Sequence, residues 1–169
     1  MTETKNASSV AVVMGSDSDL PVMQRCIDQL KEFGIEPEVR VISAHRTPAA
    51  ADEFAETAPQ RGIKVIIAAA GMAAHLAGAL AGRSHLPIIG VPMQASEGPC
   101  GLDALLSTVQ MPPGVPVAGM AIGKAGAKNA AVFAAQILAA GDKDMEAKVI
   151  EFRRKQTEAV IAKDKALNS

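Results

Sequence analysis

Apolar runs closed by glycine or a polar loop, each followed by residues with helical spacing, recur five times along the chain. Val10–Met14 is apolar throughout and stops at Gly15, the pattern of a strand buried on both faces. Over 20–33, Leu20, Met23, Ile27, Leu30 and Phe33 recur at helical intervals, and Gly34 supplies the stop. Residues 36–42 carry Val39 and Val41 in alternation and lead into Ser43. Thr47 then reads as an N-cap with Pro48 in the first turn of a helix ending near Ala58. A third buried strand is expected over 64–70, closed by Gly71, with a small-residue helix over 73–82. A fourth strand covers 86–91, and the Gly/Pro/Ser-rich stretch 92–101 is long enough to act as a flap. Leu102, Leu105, Leu106 and Val109 mark an apolar face of the next helix. A fifth strand over 115–122, a turn at Gly123 and Gly126, and an Ala-rich helix over 127–140 complete the series.

This rhythm predicts one α/β domain over residues 10–140, a three-layer, doubly wound parallel sheet with right-handed crossovers. Residues 1–9 are expected to be a flexible N-terminus. Residues 141–169 stand outside the repeats as a C-terminal helix, with Met145, Val149, Phe152, Val160 and Ile161 spaced among charges. That helix either returns to the sheet or crosses to another subunit.

Composition narrows the function classes. Hydrophobic residues are 49% of the 169 and charged residues 21%, with a formal net charge of −1, which argues against a nucleic-acid surface. There is no Trp or Tyr and only four Phe, so the stacking platforms of single-strand binders and flavin sites are missing. Cys26 and Cys100 suggest neither a disulfide framework nor a zinc site. With no apolar leader core and no run of membrane-spanning length, the expectation is a soluble cytoplasmic protein.

Two loops carry the chemistry. In Gly15-Ser-Asp-Ser-Asp19, backbone N–H groups and the hydroxyls of Ser16 and Ser18 can face an anion, while the Asp19 carboxylate suits ribose hydroxyls. The alternative makes Asp19 the N-cap of the next helix and the serines turn residues. A metal at Asp17 and Asp19 lacks a companion carboxylate at another strand end. In Ser43-Ala-His-Arg-Thr-Pro48, the imidazole of His45 suits proton transfer and the Arg46 guanidinium suits phosphate. A histidine capping local backbone is the plainer alternative. His75 either lines the same strand-end crevice or lies on a helix face; His85 reads as a surface residue, and Lys124 as an anion holder or a solvated turn lysine.

These loops, with Ala73-Ala-His-Leu76, Gly90-Val-Pro92, Val109-Gln-Met-Pro112 and Ala121-Ile-Gly-Lys-Ala-Gly126, resemble in order and spacing the class I 5-(carboxyamino)imidazole ribonucleotide mutases of purine biosynthesis, from about Val10 to Ala140. The resemblance implies an octamer of flavodoxin-like subunits, a small ribonucleotide substrate, and carboxylate transfer without metal, ATP or biotin. By that likeness Ser16, Ser18, Ser43 and Arg46 would hold the 5′-phosphate, Asp19 the ribose, and His45 would be the general acid/base. Gly71, Ala73, Ala74, His75 and Leu76 would wall an apolar pocket for carbon dioxide, and the C-terminal helix would pack across subunits. Two departures stand out. Met72 occupies a position where the family often has a smaller residue, and Ser96-Glu-Gly-Pro-Cys-Gly101 differs from the usual flap. The rivals are the class II carboxylases, which usually carry lysine after the active-site histidine, and a non-catalytic nucleotide-binding domain on the same fold.

Overall fold

Parallel strands β1 (Val10–Met14), β2 (Glu38–Val41), β3 (Val65–Gly71), β4 (Ile88–Met93) and β5 (Ala118–Gly119) form one sheet in the order β2-β1-β3-β4-β5. Between them run α1 (Leu20–Glu32), α2 (Pro48–Thr57), α3 (Leu76–Ala81) and α4 (Leu102–Val109), followed by α5 (Lys124–Ala139) and α6 (Lys143–Leu167). The structure, a computed structural model, describes residues 8–168. The flexible terminus expected over 1–9 therefore falls mostly outside the described residues. Within them, Ser8 Oγ donates to the carbonyls of Val10 and Glu36 and accepts from the Glu38 N–H, tying the start of β1 to β2.

The strand period of two explains the three layers. Val10, Val12 and Met14 face one side with Val65, Ile67, Ala69, Ile89 and Val91, under α1 and α5; Ala11 and Val13 face the other with Ile66, Ala68 and Ile88, under α2 and α3. Each fully buried aliphatic side chain contributes about 1.5–3 kcal/mol, and β1 and β3 supply such side chains to both faces of the sheet. The doubly wound, flavodoxin-like α/β architecture expected from the sequence is what the chain forms.

Several local expectations need correction. Of the fifth strand expected over 115–122, only Ala118 and Gly119 pair; Pro116 removes a ladder donor near its start. The turn placed at Gly126 is the first turn of α5, where the helix runs so close to Ala121 that a Cβ would lie 1.6 Å from the Ala121 carbonyl oxygen. The small-residue helix begins only at Leu76, because Met72 adopts a left-handed φ of 56° and bends the chain first. On α4 the helical period holds, but the apolar face is not the buried one. Ala104 and Thr108 point inward, while Leu102, Leu106 and Val109 are 51%, 48% and 43% exposed. The cause is Gly90 beneath: a Cβ there would meet Thr108 Cγ2 at 2.3 Å, so only a small face of α4 fits.

Of the two alternatives for the C-terminal helix, the return to the sheet holds for its first half. Asp142 caps α6 by accepting from the N–H groups of Asp144 and Met145. Met145, Val149 and Phe152 then pack on the core, with the Phe152 and Phe33 rings edge-on at 5.2 Å and Lys148 Nζ donating to the Phe33 carbonyl. Beyond Phe152 the helix leaves the sheet, and Val160, Ile161 and Leu167 are exposed.

Candidate active site

The strand order reverses direction between β1 and β3, and the carboxyl ends of β1 to β4 converge on a cleft of about 770 Å³ at that point. Four loops supply its walls. Gly15 to Asp19 follows β1, Ser43 to Arg46 follows β2, Met72 to His75 follows β3, and Gln94 to Ser96 follows β4.

The first loop is a single 3-10 turn over Asp17–Asp19 capped by Ser16, whose Oγ accepts from the Ser18 N–H and from Ser18 Oγ at 2.9 Å. The two hydroxyls are therefore held together at the cleft. Asp19 sits at the N-cap position of α1, as the alternative reading places it, but makes no side-chain cap bond there. Burial raises its pKa above the ordinary aspartate value, opposed by a Ser16 backbone hydrogen bond and reinforced by the neighbouring Asp17 carboxylate.

The second loop is locked from within. Thr47 Oγ1 donates to the Ser43 carbonyl and accepts the Ser43 N–H, so Thr47 clamps the loop and makes no side-chain cap bond to α2. Ser43 Oγ accepts from the Arg46 backbone N–H at 3.1 Å and from its Nε at 3.4 Å, while Arg46 Nη2 donates to the Gly15 carbonyl at 3.2 Å. The guanidinium thus bridges the first two loops, and among the described residues no carboxylate pairs with it. That leaves its charge for an anionic ligand.

His45 reaches across to the third loop. Its Nε2 lies 2.9 Å from His75 Nδ1, with the rings at 86° to one another. A single hydrogen can occupy that contact, so one ring donates and the other accepts, and the free nitrogen of each ring stays open to a ligand or solvent. This pairing settles the two readings of His75: it lines the crevice. Neither histidine caps a helix through its side chain.

Of the other sequence-predicted positions, Gly71 ends β3 where a Cβ would approach the Met93 carbonyl at 3.3 Å, and Leu76 lines the cleft floor while 2% exposed. Ala74 is 2% exposed and lies behind the wall, not on it. His85 and Lys124 are exposed and lie away from the cleft lining. Gln94 and Ser96, absent from the sequence-derived site, line it through the loop after β4. The rule that ligands sit at strand ends would have found them once β4 was placed beside β3. Among the described residues no group of three or more His, Cys, Asp or Glu stands together as a metal site. Cys26 is buried, and its thiol is pushed up to about 12 by that burial, which leaves it unreactive; Cys100 is exposed in the flap.

A family model described as AIR carboxylase matches residues 9–159. The chain belongs to the AIR carboxylase family. Within that family it is similar to proteins named N5-carboxyaminoimidazole ribonucleotide mutase from Vibrio vulnificus, 53% identical over 90% of this chain and 94% of that protein, and from Bacillus subtilis, 53% identical over 90% and 93%. The Escherichia coli K12 protein of the same name is 47% identical over 95% of each. Among solved structures, the crystal structure of Treponema denticola PurE superposes with a TM-score of 0.85 at 28% identity, covering 95% of this chain and 98% of that one. The AIR carboxylase match spans all four loops of the cleft and the packed half of α6.

Proposed function

We propose that this AIR carboxylase family member is an N5-carboxyaminoimidazole ribonucleotide mutase of purine biosynthesis, converting 5-(carboxyamino)imidazole ribonucleotide to 4-carboxy-5-aminoimidazole ribonucleotide. The observation that carries the chemistry is the imidazole of His45, held 2.9 Å from His75 in a cleft that also holds an unpaired guanidinium. In this reading Arg46 and the hydroxyls of Ser16, Ser18 and Ser43 receive the phosphate, and the Asp19 carboxylate receives ribose hydroxyls.

Protonated His45 gives its proton to the exocyclic nitrogen as the N–C bond of the carbamate breaks, releasing carbon dioxide and leaving the aminoimidazole. Carbon 4 of that electron-rich ring attacks the trapped carbon dioxide, forming the new C–C bond, and neutral His45 removes the proton from the same carbon. The proton returns to its origin, so the step balances as an isomerisation. Gly71, Ala73 and Leu76 face the trapped gas, with Ala74 packed behind them, and His75 orients His45. No cofactor or metal takes part.

The assembly is a homo-octamer in the cytoplasm. Support comes from the exposed stripe of Leu102, Leu106 and Val109 on α4 and from the free half of α6, both apolar surfaces that an isolated subunit would leave in water. No helix among the described residues is long and apolar enough to cross a membrane.

The test supplies freshly generated 5-(carboxyamino)imidazole ribonucleotide, without ATP or metal, to the wild type and to His45→Asn and follows carboxylated product by ultraviolet absorbance. Conversion by the wild type alone is expected. Product formed only from aminoimidazole ribonucleotide and added carbon dioxide would replace the mutase with a direct carboxylase.

A further inference from the structure

Met72 is placed in the cleft at a cost. It follows the last residue of β3 with φ of 56°, a conformation that glycine adopts freely and a residue with a Cβ does not. The residue is 64% exposed, although its side chain is apolar. The same tight turn carries His75, for the Ala74 N–H donates to the Met72 carbonyl and the His75 N–H to the Ala73 carbonyl.

The rest of the lining shows what this side chain supplies. Leu76 and Met93, the other large apolar residues on the cleft, are 2% and 3% exposed, so Met72 alone offers a ligand a substantial apolar surface. The aromatic residues lie elsewhere. Phe33 and Phe152 meet edge-on at the foot of α6, Phe54 is stacked under Arg61, and Phe133 is on α5. A ligand with a planar heterocycle on a ribose phosphate finds hydroxyls and charge for its sugar and phosphate, but only the two imidazoles and Met72 for its ring. An unbranched, polarizable thioether fits a ring face or edge and follows its movement.

Resting on the mutase reading, we infer that Met72 is the ring-covering residue of this site: its side chain folds onto the substrate's imidazole beside the His45–His75 pair and sets affinity for the ring without touching recognition of the ribose phosphate.

The experiment titrates the full-length protein calorimetrically with two ligands, ribose 5-phosphate and 4-carboxy-5-aminoimidazole ribonucleotide, and takes the ratio of their affinities. Met72→Gln keeps length and removes the apolar contact, and Met72→Leu keeps the apolar contact. Met72→Gly removes the side chain while relaxing the left-handed backbone, so its folding is not in question. The preference for the ring-bearing ligand is expected to fall about 2- to 10-fold in Met72→Gln and Met72→Gly and to stay within about 2-fold in Met72→Leu, with ribose 5-phosphate affinity unchanged throughout. An unchanged preference in Met72→Gln and Met72→Gly overturns the proposal, as does an equal loss for both ligands. If the wild type itself shows no preference for the ring-bearing ligand, the mutase reading fails and this proposal with it; a wild-type preference that survives both substitutions removes only the role of Met72.

Discussion

His45 and His75 touch, and the question that contact raises is which of them carries the proton. A general acid/base contributes about 10²–10⁴-fold to a rate. A neighbour that only orients it is worth one hydrogen bond, and the 2.9 Å contact lies between exposed groups, where the net value is about 0.5–1.5 kcal/mol. That converts to roughly 2- to 13-fold. If His45 carries the proton and His75 orients it, His45→Ala therefore loses at least about a hundredfold in kcat and His75→Ala about tenfold or less.

The assay is the carbamate conversion followed by absorbance at saturating substrate, with binding of the product measured separately so that a loss of affinity is not read as a loss of chemistry. The pH profile separates the roles further. Removing an orienting group lowers the plateau and leaves the shape of the kcat profile, whereas removing the proton carrier deletes the ionisation from it. A His75→Ala loss equal to or greater than that of His45→Ala would refute the assignment and move the proton to His75. Equal small losses in both would show that the pair is not in the proton path.

Three further outcomes follow from the geometry. Burial raises the Asp19 pKa, so the folded protein binds the extra proton more readily than the unfolded chain; the charged carboxylate costs stability above its folded pKa, and the cost is lost as pH falls through that value towards the ordinary 3.8. Asp19→Asn should therefore melt higher than the wild type at pH 7, with the gap closing on acidification, while binding of ribose 5-phosphate weakens; a gap that widens in acid contradicts this. Gly126→Ala forces a Cβ to within 1.6 Å of the Ala121 carbonyl oxygen, so a loss of about 3 kcal/mol is expected, seen as a melting point lower by about 6–12 °C, and an unchanged melt would show that α5 does not run so close. Truncation after Arg154 keeps the Met145, Val149 and Phe152 contacts and removes the free half of α6. The subunit should keep its circular dichroism and sediment as a smaller species, and an unchanged sedimentation profile would show that this half does not hold the assembly.

The central strands were legible because continuous apolar runs between glycines have few other uses, and β1, β3 and β4 each bury both faces. The loops after β1 and β2 were legible for the same reason: once strand ends are known, the hydroxyls and charges that follow them point at a ligand. The contact between His45 and His75 was not. It joins the ends of β2 and β3, which are not adjacent in the sheet, and no spacing in the chain encodes that distance. On α4, three leucines and a valine announce an apolar face, but which face turns inward depends on Gly90 in a strand that precedes it, a partner that periodicity does not see. The same holds for α6, where the apolar positions continue past the point at which the subunit has anything left to pack against.

Under the proposed mechanism, confinement alone would not account for recapture of a released gas. One carbon dioxide molecule in a cleft of about 770 Å³ is at about 2 M, whereas well-oriented intramolecular reactions reach effective molarities of about 10⁵–10⁸ M. Most of the advantage must therefore come from orientation. The polar half of the site is built for that: Ser16 binds Ser18, Thr47 clamps Ser43, and Arg46 joins the loops after β1 and β2 before any ligand arrives. In the proposed reading a phosphate seated on this framework would fix the ribose, and the ribose would fix the ring. Only then does the position of the gas matter, and there the wall is small and apolar, with Gly71 and Ala73 beside the histidine pair. The division explains why the fold places its charged groups at the ends of β1 and β2 and its smallest residues at the end of β3. On the proposed mechanism, binding energy from the remote phosphate is spent in holding carbon 4, carbon dioxide and His45 in line, the one arrangement that chemistry requires.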